Sequence, residues 1–179
     1  INAWTKAENI RFRDGSAERV DGHVNIFSAP SVTPYYIAPY GTTTKRYWIH
    51  AGLTSVHSDD GTTRDDITGT APTGGIDDRW TGGTLNGVFF LNNGVDDPMY
   101  WGGTGNLATL PGWDSTWTCK SLGAYKNYLV ALGVSKGASS YPHMVKWSSA
   151  ADPGTTPASW DETDPTIDAG EIDLAETPD

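Results

Sequence analysis

The segment YLVALGVSKGASSYPHMVKWSSAADPGTTPASW, residues 128–160, decides the fold. Its first part, Tyr128–Val134, is apolar on both faces, as in a strand covered on both sides. A long polar hairpin loop follows. His143–Ser148 then alternates, with Val145 and Trp147 on the inner face and Lys146 and Ser148 on a wet one. A Pro/Gly-rich turn runs on to Trp160. A similar unit occurs twice upstream. Trp48 in RYWIHAG, Phe89 in GVFFLNNG and Leu129 in NYLVALG align with steps of 41 (89 − 48) and 40 (129 − 89) residues. One supersecondary unit per ~40 residues is the sequence signature of a β-propeller blade.

The repeat-like units run over residues 33–70, 80–113 and 116–174. Strands are expected near 46–51, 87–92, 98–101, 117–122, 127–134 and 143–148, with EIDL (171–174) as a further candidate. Pro34 and Pro39 place PYYIAPY at a sheet edge or bulge. Tyr128, Val130, Leu132, Phe90 and Trp147 are the expected core, so truncating Leu132 would cost about 2–5 kcal/mol. The fold class is all-β with propeller-like blades; a two-sheet sandwich is the competing architecture. Residues 1–30 read as a separate docking segment whose Asp14-Gly15 pair marks a hairpin. Residues 31–179 form the repeat-built portion. Three blades do not close a ring, which takes about four to eight. The chain also starts at Ile1 and stops at ETPD, so a portion of a longer protein is expected.

The chain has 12 basic and 22 acidic residues, a net charge of −10. Such a surface repels nucleic acid rather than gripping it. The single cysteine, Cys119, makes no internal disulfide and reads as a small buried hydrophobe. No apolar run reaches membrane-spanning length.

Candidate chemistry is thin. The pairs Asp59-Asp60, Asp65-Asp66, Asp77-Asp78 and Asp96-Asp97 suit a calcium loop or a carboxylate pair, but they read best as solvated turns. Asp161, Asp164 and Asp168 form an acidic stretch that either holds a cation or orders a loop. His23, His50, His57 and His143 lack zinc-like spacing. Gly102–Asn106 is a turn without a following helix. Trp101, Trp113, Trp117, Trp147 and Trp160 serve either as blade packing or as a sugar platform. Arg11, Arg13, Arg19, Lys45 and Arg46 either dock an acidic partner or are solvated. No catalytic, cofactor-binding or metal-binding residue is assigned, no cofactor is expected, and the chain is not read as an enzyme.

Two stretches carry a family resemblance. AWTKAENIRFRDGSAERVDG (3–22) resembles the opening of tail hub and nozzle proteins of short-tailed phages. So does NYLVALGV…HMVKWSSAADPGTTPASWD…AGEIDLAE, within residues 127–176. The relatives in view are tail proteins of the tubular B type and packaged-DNA-stabilising hubs. The resemblance implies a virion structural protein with a propeller-like domain, made in the host cytoplasm. It implies a homo-oligomeric ring, usually a hexamer, below portal and adaptor, with DNA passing through unbound. It carries over no catalytic residue. The rivals are a glycan-binding, lectin-like receptor protein and a generic repeat scaffold. An exposed aromatic platform beside facing carboxylates is the mark of the glycan reading.

Overall fold

The computed structural model describes residues 8–20 and 29–174. Among them are fourteen strands and no helix. The opening hairpin pairs β1 (Ile10–Arg13) with β2 (Ser16–Arg19). Asp14 and Gly15 between them have φ of 49° and 79°, the paired positive angles of a type I′ turn that the Asp-Gly signal predicts.

Three antiparallel four-stranded sheets follow, each a meander in chain order. The first comprises β3 (Tyr36–Gly41), β4 (Arg46–Ala51), β5 (Val56–Asp59) and β6 (Arg64–Asp66). The second comprises β7 (Thr81–Leu85), β8 (Val88–Asn92), β9 (Met99–Trp101) and β10 (Ala108–Thr109). The third comprises β11 (Trp117–Tyr125), β12 (Tyr128–Lys136), β13 (Ser139–Trp147) and β14 (Gly170–Asp173). Pro39 lies on β3, an edge strand, where its missing N–H does no harm. β7 escapes a reading of strand propensity because TGGTL is rich in glycine. Gly82 has φ 153°, and a Cβ there would collide with the Phe90 carbonyl across the pair. Asn86-Gly87, at φ 50° and 89°, turns the chain into β8.

The second sheet lies between the other two. Phe89 and Leu91 on one face of β8 pack with Tyr40, Ile49, Ala51 and Val56 of the first sheet. Val88 and Phe90 on the other face pack with Leu122, Leu129, Ala131 and Val134 of the third. The first strands adjoin one another: β7 touches both β3 and β11. Side chains stitch the sheets together. Tyr40 Oη donates to the Gly87 carbonyl at 2.8 Å, the Leu122 N–H donates to Thr81 Oγ1 at 3.1 Å, and Asn92 Nδ2 donates to the Cys119 carbonyl at 3.0 Å. Trp48, Phe89 and Leu129 all occupy second strands, so the aligned repeat matches the sheets.

Three sequence expectations are corrected. The hairpin between β12 and β13 is only Gly137-Ala138, because the polar residues flanking it belong to the strands. A bulge between Leu132 and Val134, with Gly133 at φ 62°, bends β12 midway. β12 is covered on one face only. Leu129, Ala131 and Val134 are buried, Tyr128 and Val130 are half-buried, and Leu132 is 44% exposed. β13 is inverted as well: Lys146 and Met144 face the core, while Val145 and Trp147 share the outer face with Leu132. Of the expected core, Phe90 alone is fully buried.

Phe89→Ala should therefore lower stability by about 3–5 kcal/mol. Leu132→Ala should change it by about 0.5 kcal/mol or less. Urea unfolding midpoints of the two variants check both values; a large loss in the second would restore Leu132 to the core.

Candidate functional site

The outer face of the third sheet carries apolar residues that alternation leaves partly exposed. Neighbouring strands bring together Tyr125 with Tyr128, Val130 with Trp147, and Leu132 with Val145, which in turn pairs with Ile172. Gly170 sits opposite Trp147, and a Cβ there would run into the indole. The ring therefore lies across the β14 backbone, a close approach that only glycine allows. Trp147 Nε1 donates to the Asp168 carbonyl at 2.8 Å. Tyr128 Oη donates to Asp168 Oδ2 at 2.6 Å, and the Ala150 N–H donates to Oδ1 at 3.1 Å. These two bonds hold the Asp168 carboxyl below its usual range, so it is ionised at neutral pH. Tyr125, Tyr128, Val130, Val145, Trp147 and Asp168 line a shallow cleft of about 270 Å³. The result is a flat aromatic surface with one anionic edge.

The inner face of the same sheet hides a charge cluster. Lys146 is 0% exposed. Its Nζ donates to Glu162 Oε2 at 2.5 Å and to Glu171 Oε2 at 2.8 Å. Lys136 Nζ reaches the same two carboxylates, Glu162 at 3.2 Å and Glu171 at 2.5 Å. The Trp117 ring covers both ammonium groups, 4.6 Å from Lys146 and 4.9 Å from Lys136. The cluster ties the 148–169 loop, through Glu162, to three strands. Burial pushes the Glu162 carboxyl up, but hydrogen bonds from Lys146 and Lys136 outweigh it and bring it to about 2, from the usual 4.5. The alternating pattern read Lys146 as wet because sequence does not reveal that two glutamates 16 and 25 residues downstream return to it.

The other singled-out residues separate cleanly. Trp101, Trp113 and Trp160 are core; Trp113 and Trp160 meet edge to face at 4.8 Å. Asp60 accepts from the Thr62 and Thr63 N–H groups, and Asp78 from Gly75. Asp96 accepts from Thr73 and Asn93. Not all the pairs are solvated turns: Asp65 and Asp66 are exposed but end strand β6, and Asp59 is buried, its Oδ2 accepting from both Nε and Nη2 of Arg64 at 3.1 and 2.8 Å. Asp161 and Asp164 each cap their own turn through the threonine two residues on, as Asp66 and Asp114 do. This Asp-x-Thr recurrence is a turn signal readable in the sequence. Asp161, Asp164 and Asp168 thus serve three separate local structures.

His50 and His57 are register partners on β4 and β5, with rings stacked 5.4 Å apart. Burial, then His57 and Arg64, push the His50 imidazole below its usual range. His23 lies outside the described residues. Cys119 is buried, and burial raises its thiol to about 12, which leaves it inert. Arg11, Arg13 and Lys45 pair with Glu18, Asp14 and Asp60. Among the described residues no group of three or more His, Cys, Asp or Glu side chains is placed to hold a metal ion, and no helix is long and apolar enough to cross a membrane.

Lys146→Ala should cost about 1.5–3 kcal/mol, since it removes one of the two ammonium groups and leaves Glu162 and Glu171 to Lys136 alone. The pH dependence follows from Glu162. Its folded value is depressed, so its contribution is present above the usual 4.5 and is lost as pH falls toward about 2. Thermal midpoints should fall across that window, and Glu162→Gln should flatten the fall; a parallel curve for the variant would remove Glu162 from the cluster's energetics. No family model matches the chain, and no curated protein matches it in sequence.

Proposed function

We propose that the chain supplies propeller-like blades to a structural subunit of a short-tailed phage tail, in the hub or nozzle below portal and adaptor. The subunit forms a homo-oligomeric ring, sixfold by the resemblance, around the DNA exit path in the virion. The supporting observation is the succession of three four-stranded meanders at a ~40-residue period, with their first strands β3, β7 and β11 side by side. The net charge of −10 favours this use, because a passage for DNA must not hold phosphates. The role is structural, without a catalytic step or cofactor.

A second reading has one specific observation in its favour. Tyr125, Tyr128 and Trp147 beside Asp168 form an aromatic platform with a carboxylate edge, the surface a glycan-binding protein uses.

Imaging of native particles is the test of the first reading. A ring containing this chain, joined to the portal–adaptor complex, is expected; its absence from the tail overturns the assignment. Titration with an oligosaccharide panel, read by indole fluorescence, tests the second. Saturable quenching that Trp147→Ala abolishes would replace the tail-channel reading with receptor recognition.

A further inference from the structure

The first sheet carries a buried imidazole pair that neither reading above uses. Alternation sets His50 of β4 and His57 of β5 side by side on one face, with Gly52 and Ser55 next to them at one end and Trp48 and Asp59 at the other. The two rings stack with planes 11° apart and are only 4% and 8% exposed. Ser55 Oγ lies 3.1 Å from His57 Nε2, whereas His50 Nε2 is buried without a hydrogen-bond partner. Residues 29–32 cross this face just before the chain enters β3. Arg64 Nη1 donates to the Ala29 carbonyl at 2.6 Å, and Ser31 Oγ lies 3.5 and 3.4 Å from the two ring nitrogens of His57. Val32 packs so closely on Gly52 that a Cβ there would come within 3.0 Å of it. The Tyr35 N–H then closes the segment onto the Ala51 carbonyl at 2.8 Å.

Among the described residues, the charged groups on this face are Asp59 of β5, Arg64 and Asp66 of β6, and Arg46 farther along β4. Asp59 accepts from Arg64 and, through Oδ1, from the Gly61 N–H at 2.9 Å. Asp66 is the register partner of His57, and its Oδ1 accepts from the Thr68 N–H at 2.9 Å. β3 offers only Ile37 opposite His50, and residues 29–32 carry no charge. A neutral His50 tolerates its lone Nε2, which can be the unprotonated nitrogen of the ring. A proton there would make a charged donor with no acceptor, beside a second imidazole. Burial, then His57, then Arg64 push the His50 imidazole below its usual 6.5, and Asp59 opposes them. A depressed imidazole favours the closed form above that usual value and opposes it as pH falls below, because the open form binds the proton more readily.

We propose that the His50–His57 pair is an acid-sensitive latch: it holds residues 29–32 on the first sheet at neutral pH and releases them when His50 takes up a proton. The segment leads from the opening hairpin into the sheets, so its release changes how that hairpin is tethered. The latch is independent of the tail and glycan readings, since it uses only contacts between residues 29–35 and the first sheet.

Amide hydrogen exchange of the 179-residue chain tests it, read by NMR at Tyr35 and corrected for the intrinsic pH dependence of exchange. One proton taken up only in the open form raises the opening constant about tenfold between about pH 7.5 and about pH 5.5, and Tyr35 should lose protection by that factor. The Ile67 amide, bonded to the Val56 carbonyl at the end of β6, should stay protected. His50→Phe, which takes up no proton, should remove the pH dependence at Tyr35. Near-UV circular dichroism checks the fold of this variant; if its signal is lost, His50→Gln takes its place. Protection at Tyr35 that does not change with pH in the wild-type chain, an equal loss at Ile67, or a folded variant that keeps the pH dependence overturns the latch.

Discussion

The structure depends on covering both faces of one short strand. All five residues of β8, Val88 to Asn92, are buried, and adjacent side chains on a strand point in opposite directions. Phe89 and Leu91 therefore demand one partner sheet, and Val88 and Phe90 demand another. A single sheet of this sequence has no way to satisfy both. The stack of three follows, and with it the side-by-side placement of β3, β7 and β11. The small residues of β7 serve the same geometry, since Gly82 sits where a Cβ would strike the opposing backbone.

The stack forces a choice on the third sheet, and the Lys146 cluster shows how the choice is made. A fully buried ammonium is costly unless it is paired and hydrogen-bonded. Two carboxylates and an indole face meet that demand, and in doing so they fix the long β13–β14 connection, whose Trp160 packs on Trp113. With Lys146 turned inward, Val145 and Trp147 turn outward by the two-residue period of the strand. The aromatic outer face is thus the other side of the buried charge. The same sheet thus carries hydrophobic residues on both faces. The strong acidity of the chain is spent differently. Many aspartates cap turns through threonine or backbone N–H groups, so they act one loop at a time and do not assemble into a shared site.

Much of the fold is legible in the sequence. The 40-residue period, the strand at 46–51, the Asp14-Gly15 hairpin and the edge position of Pro39 all follow from local rules of turn chemistry and alternation. Tertiary packing settled what those rules leave open. Which face of β12 and β13 turns inward depends on Glu162 and Glu171 returning to Lys146, an encounter between residues 16 and 25 positions apart that no periodicity encodes. The glycine-rich β7 becomes a strand because its backbone fits against β8, not because its side chains favour one. The candidate surface at Tyr125, Tyr128 and Trp147 exists only once β11, β12 and β13 are in register. The sequence by itself determined how often the chain turns and where apolar residues recur, because those are properties of neighbours along the chain. Only the tertiary structure decided which apolar residues are core and which are surface, because burial is a property of what arrives from elsewhere.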